Sequence, residues 1–161
     1  PYFLNFSRLL SNLKINNIET KNCILGAATN TQGVAKFSIK SNLDYHTSGG
    51  KVSEDGNFSV SKIKIDKLNL NKKIKGMKID TEGHEFEVLE GAKNYLARDK
   101  PDIIFEINEK SFNKCLELLN NHSYNYFFID EINKKLTKIK SYNINLKRPE
   151  GSNSLASISK K

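Results

Sequence analysis

The segment from Lys78 to Glu85 concentrates side chains that could carry out chemistry. It reads Lys-Ile-Asp-Thr-Glu-Gly-His-Glu, so that Asp80, Glu82 and Glu85 lie where an apolar run passes into a helical pattern. In open α/β sheets, ligands bind in the crevice beyond the carboxyl ends of the strands. Carboxylates at this position could act as a general base or orient a polar substrate. The structural alternative is that the two glutamates complement the helix dipole while Asp80 caps the turn.

Further titratable residues could contribute to a site near these acids. Glu106 follows the next predicted strand and could line the same crevice, although a helix cap or a salt bridge is an alternative role. Because imidazole titrates near neutral pH, His46 and His84 could each act as a base. A lone histidine on a helix surface is usually exposed, which favours His46, in its glycine-bearing segment, over His84. The predicted catalytic residues are therefore Asp80, Glu82, Glu106 and His46.

Lys78, Gly83 and a divalent metal ion are further candidates for interaction with these acids or with a ligand beside them. Lys78 is expected to pair with one of them, and Gly83 would let a ligand approach the main chain closely. Carboxylates also suit magnesium, so Asp80 with Glu82 or Glu106 could bind a divalent ion. The sequence has no third candidate ligand at a spacing typical of a metal site. No metal site is therefore predicted.

Hydrophobic periodicity defines the elements that must position these residues. Apolar residues recur at helical spacing in three segments and alternate or run together in others. Predicted helices cover 3–16, 85–97 and 111–120, and predicted strands cover 22–28, 35–39, 58–63, 74–80, 102–106, 124–128 and 155–158. The segment 41–57 holds three glycines and is expected to be a long loop near a site. Alternating strands and helices predict an α/β chain with a mainly parallel sheet.

Composition limits the classes of protein to consider. The 161 residues, of which 37% are hydrophobic, suit a single domain with one core. The formal charge of +8 is spread over many lysines, and the dense run 134–140 lacks aromatic residues, so no nucleic-acid partner is predicted. No apolar run is long enough to cross a bilayer, so no membrane partner is predicted either. Cys23 and Cys115 lie far apart in apolar segments, which predicts buried free thiols in a reducing, cytoplasmic compartment.

Three ordered blocks between Lys78 and Glu106 carry a resemblance to a known family. They are Lys-Ile-Asp-Thr-Glu-Gly-His-Glu, then Val-Leu-Glu-Gly-Ala at 88–92, and Lys-Pro-Asp-Ile-Ile-Phe-Glu at 100–106. These blocks resemble the pattern Lys-Ile-Asp-x-Glu-Gly-x-Glu, Val-Leu-x-Gly-Ala and Pro-x-Ile-x-x-Glu of the FkbM-family S-adenosylmethionine-dependent methyltransferases. Similarity extends to the first helix, to Ala27-Ala28 with Gly33, and to the segment 118–124. The resemblance therefore spans most of the chain.

The resemblance implies a seven-stranded, Rossmann-like class I methyltransferase sheet, mostly parallel with an antiparallel edge. S-adenosylmethionine is the implied donor, and a hydroxyl of a sugar or natural product, a small-molecule or glycan acceptor, is the implied target. Asp80 and Glu82 would lie beside the methyl-transfer centre. Ala27, Ala28 and Asp80 are the implied cofactor-binding residues. The family's first strand and its acidic-Gly-x-x-x-Gly loop would precede Pro1, so residues 1–161 are expected to be the carboxy-terminal portion of a single methyltransferase domain, incomplete at its amino terminus.

Two other functions remain open at this point. A non-catalytic module could keep the crevice for a glycan or a nucleotide without the donor loop. A basic surface-interaction protein would need no small-molecule site, and its binding to nucleic acid would weaken steeply with salt.

Overall fold

A computed structural model of the chain describes residues 1–39, 50–106, 111–130, 133–139 and 154–159. The helices in these ranges are α1 (Phe3–Ile15), α2 (Glu85–Gly91), α3 (Lys93–Asp99) and α4 (Phe112–Asn121), with a 3-10 turn at Ile65–Lys67. The strands are β1 (Ala27–Thr29), β2 (Gly33–Ser38), β3 (Lys51–Val52), β4 (Phe58–Lys64), β5 (Gly76–Ile79), β6 (Asp102–Glu106), β7 (Tyr124–Asp130), β8 (Lys135–Ile139) and β9 (Ser154–Ser159). The candidate base His46 lies outside the described residues.

The described strands form two mixed sheets, with strand orders β1-β4-β2-β3 and β5-β6-β9-β7-β8. Only the pairs β1–β4 and β5–β6 are parallel among these strands; the other pairs are antiparallel. The α/β class is therefore confirmed, but the prediction of a mainly parallel sheet is wrong for the described residues. Helices α2 and α3 supply the crossover that parallel strands need between β5 and β6. The connection from β7 to β8 is too short for a crossover, so these two strands can pair only in antiparallel orientation.

One hydrophobic core lies between the second sheet and the helices α2, α3 and α4. Strand β7 buries alternate residues, as a strand with one covered face does, and α4 buries residues at helical spacing. The largest fully buried apolar side chains include Leu89, Leu96, Ile103, Phe105, Phe112, Cys115 and Leu119. In contrast, α1 has the predicted amphipathic pattern but buries none of its residues, and Phe3 is 64% exposed.

Several predicted boundaries differ from the structure. The predicted helix 85–97 is divided at Ala92, where φ is −111° and ψ is 8°, so that this residue ends α2 and begins α3. The first predicted strand, 22–28, is reduced to β1, because only Ala27–Thr29 lie beside β4. Strands β3 and β8 were not predicted, and β3 lies within the predicted loop 41–57. None of the described helices has the length and apolar character needed to span a membrane.

Both cysteines are free, but only one is buried as predicted. Cys115 is fully enclosed in the core, where desolvation raises the pKa of its thiol to about 12, with the nearby Glu85 charge acting in the same direction. Cys23 is partly exposed because the segment before β1 does not join the sheet.

Candidate functional site

The turn from β5 into α2 has an unusual backbone. Glu82 has a φ of 54° and Gly83 a φ of 99°, so two consecutive residues lie in the left-handed region. Glycine adopts this region readily, whereas a glutamate there is uncommon and carries strain. Residues held in such conformations cluster at functional sites. The turn between Asp80 and α2 is therefore a candidate site on backbone geometry as well as on side-chain chemistry.

Glu85 holds this turn in place from the first position of α2. Its side chain is fully buried, and its Oε1 accepts hydrogen bonds from the Thr81 amide at 3.3 Å, the Thr81 hydroxyl at 3.1 Å and the Gly83 amide at 3.0 Å. Its Oε2 accepts a further bond from the Ser111 hydroxyl at 3.3 Å. A buried carboxylate is tolerated when its oxygens are hydrogen-bonded in this way. The structure therefore gives Glu85 a specific role in shaping the loop, beyond complementing the helix dipole.

Three carboxylates converge above this turn. Asp80, Glu82 and Glu106 each place a carboxylate oxygen within 4.8 Å of the other two. The parallel register explains the approach, because Ile79 lies opposite Phe105 and the next residue of each strand is one of these acids. As expected, Lys78 pairs with one of them, with its Nζ 3.0 Å from Asp80 Oδ2. Two of the three acids are exposed, and this cluster alone assigns no metal ion.

The electrostatics of the cluster act most strongly on Glu106. Desolvation raises the pKa of its carboxyl above the usual range, and the negative charges of Glu82, Asp80 and Glu85 raise it further. Lys78 acts in the opposite direction but is the smallest of these influences. Glu106 consequently holds a proton more readily than an ordinary glutamate does.

A cavity of about 280 Å³ lies next to the carboxylate cluster. Small residues of β1 and the preceding turn form one wall, and the β5–α2 turn forms another. The lining residues are Pro1, Gly26, Ala27, Ala28, Phe37, Gly50, Lys51, Val52, Asp80, Thr81, Glu82 and His84. Ala27, Ala28, Asp80 and Glu82, which were selected from the sequence, thus line one cavity, and Glu106 adjoins it through the cluster.

His84 has a different position from the one expected of an exposed helix residue. It is half-buried at the start of α2, with Nε2 3.1 Å from Thr29 Oγ1 and Nδ1 3.4 Å from Glu87 Oε2. The Thr29 hydroxyl in turn donates to Asn30 Oδ1 at 3.2 Å, and Asn30 Nδ2 donates to Glu90 Oε2 at 2.6 Å. This network joins the end of β1 to α2. The one sequence signal for a role of His84 in the site was its position directly before the acids of α2.

Gly91 allows α2 to approach β1 closely. A Cβ atom at this position would lie only 2.1 Å from the Thr29 carbonyl oxygen. No side chain larger than hydrogen fits between the two backbones. A glycine inside an otherwise helical pattern, as in Val-Leu-Glu-Gly-Ala, was the available sequence signal for such a contact.

We expect Glu106→Gln to raise the melting temperature at pH 7 by roughly 2 °C, because it removes a negative charge that is partly desolvated and crowded by other acids. An acid whose pKa is raised by folding stabilises the protein below its unfolded pKa and loses that contribution as pH rises through the folded value. The gain over wild type should therefore disappear near pH 4. Glu117→Gln, on the exposed side of α4, is the matched control. A gain of equal size at both pH values would contradict the charge argument.

Most of the chain matches a known protein family. Residues 1–128 match the family described as the methyltransferase FkbM domain. No curated protein and no solved structure matches the chain. The matched range contains β1, the β5–α2 turn and β6, and therefore every described residue of the cavity and of the carboxylate cluster.

Proposed function

Because the chain belongs to the FkbM methyltransferase domain family, we propose that it uses S-adenosylmethionine to methylate a hydroxyl oxygen of a sugar or natural-product acceptor. The observation that carries this proposal is the cavity in which the small residues of β1 face Asp80 and Glu82. Methyl transfer is the chemistry of the family, whereas the donor, the acceptor and the residue roles are parts of the proposal.

The residues around the cavity suit the proposed donor. Gly26, Ala27 and Ala28 present little side-chain volume, which leaves space for a flat heteroaromatic ring against the strand. The carboxylates of Asp80 and Glu82 complement a positively charged sulfonium or amino group. When bound, S-adenosylmethionine would supply an electrophilic methyl carbon.

The carboxylate cluster would orient the acceptor and receive its proton. A methyl transfer is an in-line displacement, so the protein contributes chiefly by aligning the acceptor oxygen. We assign Asp80 to accept a hydrogen bond from the acceptor hydroxyl, with Glu82 binding a neighbouring polar group. As the new oxygen–carbon bond forms, the methyl–sulfur bond would break with its electron pair left on the sulfur of the departing S-adenosylhomocysteine, and the hydroxyl proton would pass to a carboxylate oxygen of Asp80 or Glu106. The raised pKa of Glu106 makes its carboxylate a better proton acceptor than that of an ordinary glutamate.

Calorimetric titration with S-adenosylhomocysteine tests the donor assignment. Ala28→Leu enlarges a side chain of the cavity lining and should weaken binding by about tenfold or more, equivalent to about 1.4 kcal/mol, while the melting temperature verifies that the core against which Ala28 also packs is intact. Ala97→Leu, at an exposed position of α3, should leave the affinity unchanged. A folded wild-type protein that does not bind S-adenosylhomocysteine would contradict the proposal. Binding without transfer to any hydroxyl acceptor would instead favour a non-catalytic binding module.

A further inference from the structure

A second, larger cavity adjoins the candidate site. Its volume is about 510 Å³, within the range of small-molecule pockets. Its walls are mainly apolar and include Tyr2, Leu25, Phe37, Phe58 and Val60. Within the part of the chain that the structure describes, no Asp, Glu, Lys or Arg side chain lines it.

The two cavities share a wall. Phe37 lines both of them, as does Pro1, so the two cavities lie side by side. Phe37 is itself buried, with only 4% of its surface exposed, and Gly56 lies directly against its backbone. A Cβ on Gly56 would come within 2.3 Å of the Phe37 amide nitrogen. The shared wall is therefore fixed by close contact with a glycine.

The cavities differ in the charged side chains that line them. The smaller one contains the carboxylates of Asp80 and Glu82, whereas the larger one offers aromatic and aliphatic surface. Part of that surface is open to solvent: Leu25 is 40% exposed and Phe58 43% exposed, with its ring 5.7 Å from the ring of Tyr2. Covering such surface with an apolar group is favourable, because it removes apolar area from water.

We propose that the methyl acceptor is amphiphilic, with its hydroxyl-bearing polar part at Asp80 and Glu82 and an aromatic or aliphatic part in the larger cavity. This inference rests on the proposed function and narrows it. A free, small sugar would leave the larger cavity unfilled, whereas a hydroxylated natural product or a sugar with an apolar substituent would occupy both.

Two glucosides that differ only in their apolar group provide the test. The full chain, saturated with S-adenosylhomocysteine, is titrated with octyl glucoside below its micellar concentration and with methyl glucoside. Octyl glucoside should bind at least about tenfold more tightly, since each buried methylene group favours binding. Equal affinities, while S-adenosylhomocysteine still binds, would overturn the amphiphilic acceptor and leave the proposed function standing.

A matched pair of valines locates the binding surface. Val60→Thr keeps the shape of the side chain but places a hydroxyl on the cavity wall, and should weaken octyl glucoside binding by about tenfold. Methyl glucoside and S-adenosylhomocysteine should bind as before. Val34→Thr, on the neighbouring strand β2 at a position 69% exposed and outside both cavities, should change none of the three affinities. Melting temperatures of both variants verify that the fold is intact.

Other occupants of the larger cavity would give different results. If octyl glucoside binds equally well to Val60→Thr and Val34→Thr, the apolar group lies elsewhere and the proposal is wrong. A dimer that dissociates on Val60→Thr would show that a second copy of the chain fills the cavity, which would also overturn it. Loss of S-adenosylhomocysteine binding, with the octyl preference and its dependence on Val60 intact, would contradict the proposed function while supporting an amphiphilic ligand.

Discussion

Asp80→Asn is expected to lower kcat for methyl transfer by about 10²-fold or more, the usual contribution of a positioned proton acceptor. Asparagine preserves the shape of the side chain but removes the charge and the basic oxygen, so the acceptor hydroxyl loses its main hydrogen-bond acceptor. The affinity for S-adenosylhomocysteine should change much less than kcat. Steady-state kinetics together with calorimetry separate the two quantities.

Asp102→Asn is the matched control for this variant. Asp102 is also an exposed aspartate of the same pair of strands, but it is the first residue of β6, opposite Gly76, at the end of the sheet away from the carboxylate cluster. Its substitution should leave kcat unchanged. Near-normal turnover by Asp80→Asn on the true acceptor would remove Asp80 from any chemical role, and Glu106 would then be the next residue to test.

The second large effect is expected for stability. Gly91→Ala should lower the free energy of unfolding by about 3 kcal/mol, at the upper end of the usual cost of an overpacked interior. The atoms that the new Cβ would meet belong to the backbone of Thr29, at 2.1 and 2.8 Å, so no side chain can move aside. Helix α2 would have to shift away from β1. Chemical denaturation measures the loss directly.

A different glycine provides the control for crowding. A Cβ on Gly76, at the start of β5, would meet only the Asp102 carbonyl oxygen, at an ordinary contact distance of 3.7 Å. Gly76→Ala should therefore alter the unfolding free energy by less than about 1 kcal/mol. If Gly91→Ala were equally mild, α2 could be displaced from β1 without cost, and the close approach would not be a stabilising feature. Because Thr29 also contacts His84, we expect the displaced helix to disturb the cavity wall as well.

Much of the candidate site could be predicted from local patterns in the sequence. The strands β5 and β6 follow from their apolar runs, and a helical connection between them predicts parallel neighbours. Parallel neighbours bring their carboxyl ends together, so the approach of Asp80 and Glu106 could be expected from the chain alone. The catalytic role of His46 remains a prediction, since that residue lies outside the described part of the chain.

Other features of the site depend on partners that are distant in sequence. The burial of Glu85 requires Ser111 from the start of α4, and the position of His84 requires Thr29 from β1. A residue-by-residue pattern describes one element and its exposed or buried face, but not which other element covers that face. This is why Glu85 was interpreted in part as a helix-end charge and His84 as an exposed histidine.

The sequence by itself determined the family, the α/β class and the acids at the ends of β5 and β6, because motifs, periodicity and strand ends are local properties of the chain. Only the tertiary structure decided the direction of most strand pairs, as when β9 inserts in antiparallel orientation between β6 and β7. It also placed the cavity lined by Asp80 and Glu82 beside a larger one that no described charged side chain lines, with Phe37 lining both. Pairing and cavities arise from contacts between segments far apart in the chain, and hydrophobic period alone specifies neither the partner of a strand nor its direction.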